Sequence, residues 1–256
     1  MKWLLNFFSR GFLIRVSLIL QPLLRIYFRG NKFIDPIDGS RYRKFLTYGY
    51  GEQLRPNALC PGTLSLERHR MLWLYLERET SLLKDELKVL HIAPEQVFYK
   101  IFKGYQHWDY TTADLKSPLA DVLADICDLP FEDQSYDLIL CNHVLEHIPD
   151  DLKAMNELYR ILKKGGTLIA QVPIDVNLEK TYEDKNVTDP KVRARLFGQY
   201  DHVRVYGQDY YLKLESVGFL PVKVHLEKTF TSDEIDQYAL SHEEQITVML
   251  KGLSSI

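Results

Sequence analysis

The stretch LKVLHIAPEQVFYKIF, Leu87 to Phe102, decides the fold. KVLHIA has the continuous apolar character of a strand buried on both faces. EQVFYKIFKGY, directly after it, has the spacing of a helix. A strand feeding a helix through a short loop is the unit that grips nucleotides, and glycines normally let the backbone approach the ligand there. This junction contains no glycine.

Outward from that unit the chain alternates. HWDYTTADL reads as a strand ending in an acid, and YDLILCN as another buried strand. DDLKAMNELYRILKKGG reads as a helix with Asp150 as N-cap and Gly165-Gly166 as its stop. TLIAQVP is a strand, GQDYYLKLESVGF a helix ending at Gly218, and LPVKVHLE and EQITVML are strands. This alternation predicts an α/β fold with a mostly parallel sheet covered on both faces. Such sheets bind ligands at the carboxyl ends of their strands, where strand order reverses.

Those ends carry polar residues. The first ends in His91-Ile92-Ala93-Pro94-Glu95, the second at Asp114 with Leu115 beside it, and the strand after YDLIL at Asn142. Asp114 lies 21 residues beyond Ala93, a spacing suited to an acid that accepts hydrogen bonds from a ribose diol. Asp125 is placed to face an adenine amino group, with the Ile126 amide near a ring nitrogen.

The segments VLHIAPE, YTTADL, DICDLPFEDQSYDLILCNHVLEHIPDD, NELYRILKKGGTLIAQVP and HVRVYGQDYYLKLESVGF occur in this order across most of residues 87–220. Together they resemble class I S-adenosylmethionine-dependent methyltransferases of the type-eleven group. The resemblance implies a Rossmann-like fold with a mostly parallel seven-stranded sheet. It implies S-adenosylmethionine as cofactor, held by His91, Ala93, Glu95, Asp114, Leu115, Asp125, Ile126 and Asn142. His91, Ala93 and Glu95 stand where the family's loop carries an acid and Gly-x-Gly. Ala93 is the next smallest residue, Pro94 supplies no N–H, and Glu95 can pair with the cofactor's amino group.

Methyl transfer is an in-line displacement, so the protein mainly aligns the acceptor, and a base helps where that acceptor is a hydroxyl. His202 is the first candidate for a base or positioning group, and His143 the second. His143 and His147 share a face if their segment is helical. Asp175, Glu183, Arg204 and Tyr206 are further candidates near the acceptor, and the polar residues 173–201 a candidate lid.

Relatives of this kind often carry two cysteine pairs of a zinc ribbon before the domain. Here Asp35 and Asp38 stand at the first pair, and Cys60 and Thr63 at the second. One thiolate and two aspartates are a poor zinc site, so residues 31–83 are expected to be a degenerate ribbon with a linking helix and no metal. Arg68 and Arg70 of SLERHR are expected to salt-bridge to the following domain, residues 84–256, or to meet an anionic acceptor.

Residues 1–30 read as a basic amphipathic helix. Arg10, Ser17, Gln21, Arg25 and Arg29 gather on one side, and Phe12, Val16, Ile19, Leu20, Leu23 and Tyr27 on the other. The longest uncharged run there is too short to span a bilayer. The expectation is a helix lying in an anionic membrane surface through residues 1–29, or one packed on protein. The three cysteines have no paired spacing, which suits a reducing compartment. The expected setting is therefore cytoplasmic, with the inner face of the membrane as a possible seat.

Net charge is −3, so no basic field advertises nucleic acid, and RNA is the weaker acceptor class beside a small-molecule or lipid-linked one. A nicotinamide-dependent oxidoreductase and a non-catalytic Rossmann-like scaffold are the competing function classes.

Overall fold

The computed structural model describes residues 21–49, 54–118, 120–224, 229–241 and 245–253. The expected N-terminal helix therefore lies largely outside the described residues; its end, residues 21–27, is helical. The described residues form two compact units. One comprises those up to Leu83 together with 229–241; the other comprises Lys84–Val224 with 245–253.

The first unit is built from two antiparallel strand pairs. β1 (Arg29–Ile34) pairs with β2 (Arg41–Tyr42), and β3 (Leu46–Tyr48) with β4 (Arg55–Leu59). Helix α1 (Glu67–Glu79) buries every residue from Met71 to Leu76, as its nearly continuous apolar run requires. Two tight turns meet at Asp35. Its buried carboxylate accepts from Ile37 N at 3.0 Å, from Ser65 Oγ at 2.9 Å and from Thr63 Oγ1. The amide of Gly62 points at Cys60 Sγ at 3.4 Å. Hydrogen bonds thus tie together the positions where a ribbon would carry its ligands.

Arg70 is fully buried. It donates to the carbonyls of Ala58, Ser65, Tyr238 and Ala239 at 2.6–3.0 Å. A guanidinium carries five N–H donors in a fixed fork and suits converging carbonyls of this kind. Among the described residues these carbonyls of its own unit engage Arg70, for which an ion pair to the next domain or an anion contact was expected.

The second unit is a seven-stranded sheet. In chain order its elements begin with β5 (Leu87–Ile92), α2 (Gln96–Phe102), β6 (Trp108–Asp114), β7 (Val122–Leu123) and β8 (Tyr136–Cys141). Then come a 3₁₀ turn (Leu145–His147), α3 (Asp151–Ile161), β9 (Leu162–Ile169), β10 (Tyr182–Glu183), α4 (Pro190–Leu196) and β11 (Arg204–Val205). Last are α5 (Tyr210–Val217), β12 (Phe219–Val222) and β13 (Val248–Lys251), while a further helix, α6 (Ser232–Gln237), belongs to the first unit. The strand order is β7-β6-β5-β8-β9-β13-β12, with β13 antiparallel to both its neighbours and the other pairs parallel.

β5 has β6 on one side and β8 on the other, so the order reverses there and the carboxyl ends of β5 and β8 flank the switch point. The last four residues of each strand are buried, which explains why their sequences show no polar alternation.

Two local expectations fail for a clear reason. Asp150 does cap α3, accepting from Lys153 N, but the helix ends at Ile161 and LKKGG is already strand. Gly165, with φ +77°, sits in a bulge where the β8–β9 register shifts between Tyr136 and Leu138. A Cβ on Gly166 would come within 3.0 Å of Asp137 O, so the glycine pair serves a strand irregularity and not a helix stop. NHVLEH is not helical either: His143 has φ +54° and only a 3₁₀ turn follows, so His143 and His147 do not share a helical face.

Candidate cofactor and acceptor site

At the end of β5 the chain turns through Ala93, whose φ of +48° is in the left-handed region that favours glycine. The alanine accepts the backbone conformation that the missing glycine would have taken without strain. Its amide donates to Ala113 O at 2.8 Å and fastens this loop to the end of β6. Glu95 precedes the first turn of α2 but does not cap it with its side chain. The carboxylate turns to the switch point instead.

There His91, Glu95 and Asn142 meet. His91 is fully buried, with Nδ1 at 2.8 Å from Tyr110 Oη and Nε2 at 3.2 Å from Glu95 Oε2. Asn142 donates to the same oxygen at 3.4 Å, while its own Oδ1 accepts from Gln171 N at 3.3 Å. Burial, and then the charge of Glu95, hold the Tyr110 phenol protonated far above its ordinary range. The Glu95 side chain keeps 13% of its surface exposed, enough to meet a ligand group.

Asp114 ends β6. Its Oδ1 accepts from the amides of Lys116 and Ser117, both at 2.7 Å, and Oδ2 takes no part in that turn. Leu115 beside it is 62% exposed, an isolated apolar surface next to a carboxylate. Asp125 is exposed and folds its own loop, accepting from Cys127 N at 2.8 Å, while Ile126 is buried. The eight residues expected to hold a cofactor thus lie at the ends of β5, β6 and β8 and in the loop after β7.

The donor set fits S-adenosylmethionine. A partly exposed carboxylate at Glu95 suits an amino group, and Asp114 Oδ2 suits a ribose diol. An exposed Leu115 and an acid at Asp125 suit the two aspects of an adenine ring.

Immediately after Asn142 the chain enters a histidine cluster. His143 Nδ1 lies 3.3 Å from Glu146 Oε1, an ion-pair contact whose angle misses hydrogen-bond geometry. Glu146 is only 2% exposed. Burial pushes its carboxyl up, but His143 and His147 outweigh that and hold it below the usual range. The rings of His147 and His202 meet edge to face with centroids 4.7 Å apart. Burial pushes the imidazole of His202 down, with the charge of Glu146 opposing.

The other acceptor-side candidates hold structure. Arg204, 2% exposed, donates to Leu145 O, Ile148 O and Pro149 O at 2.5–3.0 Å, and to Glu183 Oε2 at 3.0 Å. Tyr206 is buried and donates to Asp151 Oδ2 at 2.9 Å. Both fasten the 3₁₀ turn and the start of α3, and Glu183 is the partner of Arg204. Asp175 caps its own turn by accepting from Asn177 N at 2.9 Å. Residues 173–201 contain β10, paired to β11, and α4. Sequence reasoning missed Tyr110 and Glu146. The available signal for Glu146 was an acid enclosed by apolar residues in VLEHI, just beyond a buried strand.

The family model for the methyltransferase domain matches residues 98–170. Residues 98–170 carry the sequence pattern of a methyltransferase domain. The match begins three residues past Glu95, so the glycine-free loop lies outside it. Among curated relatives, an uncharacterised protein of Methanocaldococcus jannaschii is 44% identical over 71 residues, 28% of this chain and 30% of its own length. The ajmaline N-methyltransferase of Rauvolfia serpentina is 33% identical over 111 residues, 43% of this chain and 36% of its own length. The chain therefore spans about a third of the length of these relatives. Among solved structures, the [4+2]-cyclase SpnF shares the fold with TM-score 0.54 at 13% identity, over 93% of this chain and 96% of that one. A shared fold does not fix the chemistry, and the reaction has to be argued from the site.

Among the described residues no helix is long and apolar enough to cross a membrane.

Proposed function

We propose that the chain transfers the methyl group of S-adenosylmethionine to a small-molecule or lipid-linked acceptor. The observation that carries this reading is the meeting of Glu95, His91 and Asn142 at the strand-order reversal, beside an Ala93 that adopts a glycine-like backbone. A scaffold that had lost its ligand would have no need of a partly exposed carboxylate supported from two sides.

S-adenosylmethionine, when bound, supplies a methyl carbon activated by the adjacent sulfonium charge. The chain's residues bind and orient. Glu95 would pair with the amino group, with His91 and Asn142 holding the carboxylate in place. Asp114 would accept from the ribose hydroxyls, Leu115 would flank the adenine, the Ile126 amide would meet a ring nitrogen, and Asp125 would face its amino group. Alignment of this kind is the main source of acceleration in a displacement at an activated carbon. On the acceptor side, His143 and His202 would orient the nucleophile.

Titrating S-adenosylmethionine and NADH separately into the purified chain by calorimetry tests the reading. Saturable binding of one S-adenosylmethionine per chain, without NADH binding, is expected. NADH binding without S-adenosylmethionine binding would replace the reading with hydride transfer.

A membrane-surface seat is the finer part of the proposal. It is supported by the end of the basic helix, where Leu23, Ile26 and Tyr27 are 63%, 75% and 66% exposed. Sedimentation with anionic liposomes, lost in a chain that begins at Asn31, is the expected result; equal sedimentation of both would remove the helix from that role.

A further inference from the structure

We propose that Glu146, His147 and His202 form a site for one divalent transition-metal ion of the zinc or manganese kind. One ligand atom from each residue lies within 4.8 Å of the other two. Adjacent acidic and imidazole groups are common, and proximity alone would not carry the assignment. Two further observations do.

The first is the state of Glu146. It is 2% exposed, and neither carboxylate oxygen has a hydrogen bond of acceptable geometry. An ionised carboxylate taken out of water without hydrogen bonds is costly unless it is paired or coordinates a metal. His143 Nδ1, at 3.3 Å from Oε1, pairs with it off-angle and leaves Oε2 without a hydrogen bond.

The second is the tautomer of both imidazoles. His147 Nδ1 lies 3.3 Å from Asp201 O and 3.5 Å from Asp201 Oδ2, so this nitrogen carries the proton and donates. His202 Nδ1 donates to Phe197 O at 3.0 Å. In the neutral ring, a donating Nδ1 leaves the lone pair on Nε2. Both histidines therefore present Nε2 lone pairs, each supported from behind by a carbonyl or carboxylate. That is the outer-shell arrangement that fixes the tautomer of metal-ligating histidines and raises their basicity.

The segments that bring the ligands are tied together. Glu146 and His147 lie in the 3₁₀ turn after β8, and His202 comes just before β11. Val203 N donates to Glu146 O at 2.9 Å, and Arg204 binds the carbonyls of Leu145, Ile148 and Pro149. Two imidazoles and one carboxylate suit zinc and its first-row neighbours, whereas magnesium prefers oxygen ligands and retained waters. Tetrahedral bonds of about 2.0–2.1 Å place ligand atoms closer together than 4.8 Å, so binding draws the three side chains inward. Three protein ligands leave a position open, where an acceptor oxygen or nitrogen would be polarised.

The test uses the full chain stripped with chelator, without S-adenosylmethionine or acceptor, so it stands or falls separately from the methyl-transfer reading. Zinc, manganese and magnesium are titrated by calorimetry, and cobalt by its visible absorption. The expected result is one zinc or manganese per chain, magnesium at least about tenfold weaker, and a cobalt spectrum of low coordination number. Glu146→Gln, which keeps the side-chain volume, and His202→Ala should each weaken zinc by more than about 100-fold. Asp201→Asn should weaken it about tenfold through His147. Cys60→Ser should leave it unchanged. Wild-type affinity no greater than that of whichever of Glu146→Gln and His202→Ala is folded would overturn the site, as would zinc binding that disappears with Cys60→Ser.

Discussion

Asn142 donates its side-chain N–H to the Glu95 carboxylate at 3.4 Å and so joins the ends of β8 and β5, the two strands between which the sheet order reverses. The bond is long, and the same oxygen lies 3.2 Å from His91 Nε2. The carboxylate is therefore held from two sides without being enclosed, an arrangement that positions a charge for a ligand.

Asp114→Ala should weaken S-adenosylmethionine binding by about 1–3 kcal/mol, the size of a charge-assisted hydrogen bond lost at a partly exposed site. The turn amides of Lys116 and Ser117 are exposed or solvated by the same change, so melting should be recorded alongside affinity. A folded variant with unchanged affinity would remove Asp114 from the cofactor site.

Arg160 explains why two signature segments of the sequence occur together. Its guanidinium donates to Leu129 O at 3.0 Å and Phe131 O at 2.7 Å, and pairs with Glu157 and Asp133 at 2.8 Å. Glu157 in turn accepts from Leu129 N at 2.8 Å. The arginine of NELYRILKK thus clamps the loop DLPFEDQ. Arg160→Ala should cost about 1–3 kcal/mol of stability, measured by denaturant unfolding. The Arg160 hydrogen bond, against a smaller opposing effect of burial, holds the Glu157 carboxyl below its ordinary value. Stability from a lowered carboxyl is full above the unfolded value and is lost as pH falls through the folded one. The gap between wild type and Arg160→Ala should therefore narrow below about pH 4; a constant gap down to the acid transition would show that the ion pair contributes nothing.

Thiol reactivity should separate the three cysteines. Burial, followed by the charge of Asp35, pushes the Cys60 thiol up to about 12, and burial pushes Cys141 up as well. Cys127 is only half-buried, though burial and Asp125 raise it too. Since the thiolate is the reactive form, an aromatic disulfide reagent at pH 8 should label Cys127 first, and Cys60 and Cys141 only on unfolding. Early labelling of Cys60 would mean that the turns around Asp35 open readily.

Asp35→Ala should destabilise the first unit by about 3–5 kcal/mol, because it removes the charge that most favours the buried Arg70 guanidinium and strips Thr63 and Ser65 of their acceptor. A melting curve within experimental error of wild type would show that the Arg70 carbonyl contacts suffice.

Much of the fold was legible because parallel strands buried on both faces write themselves as unbroken apolar runs. VLHI and LILC could hardly be anything else, and Gly218 marked the end of α5 through its left-handed conformation, φ +113°. LKKGG misled because a glycine pair after a helix has two physical uses, a helix stop and a strand bulge, and only pairing across β8 and β9 distinguishes them. The residues expected to hold a cofactor fall at strand ends because those ends are points on a topology that alternation dictates. The acceptor side could not be placed in this way. Arg204 and Tyr206 look chemical in one dimension, yet their side chains turn inward to carbonyls and Asp151, and Glu146 looks incidental until its burial is seen. Direction and burial of a side chain in an irregular turn are set by distant segments, which sequence spacing does not encode.

The most direct test of the central claim is calorimetric titration of S-adenosylmethionine into the wild-type chain and into Glu95→Gln. The substitution keeps the shape of the side chain and removes the charge that His91 and Asn142 hold at the strand-order reversal. One-to-one binding by the wild type, weakened at least about tenfold in the variant, which is about 1.4 kcal/mol, is the expected result. Equal affinity of the two folded proteins, or no binding by either, would contradict a cofactor site built on Glu95.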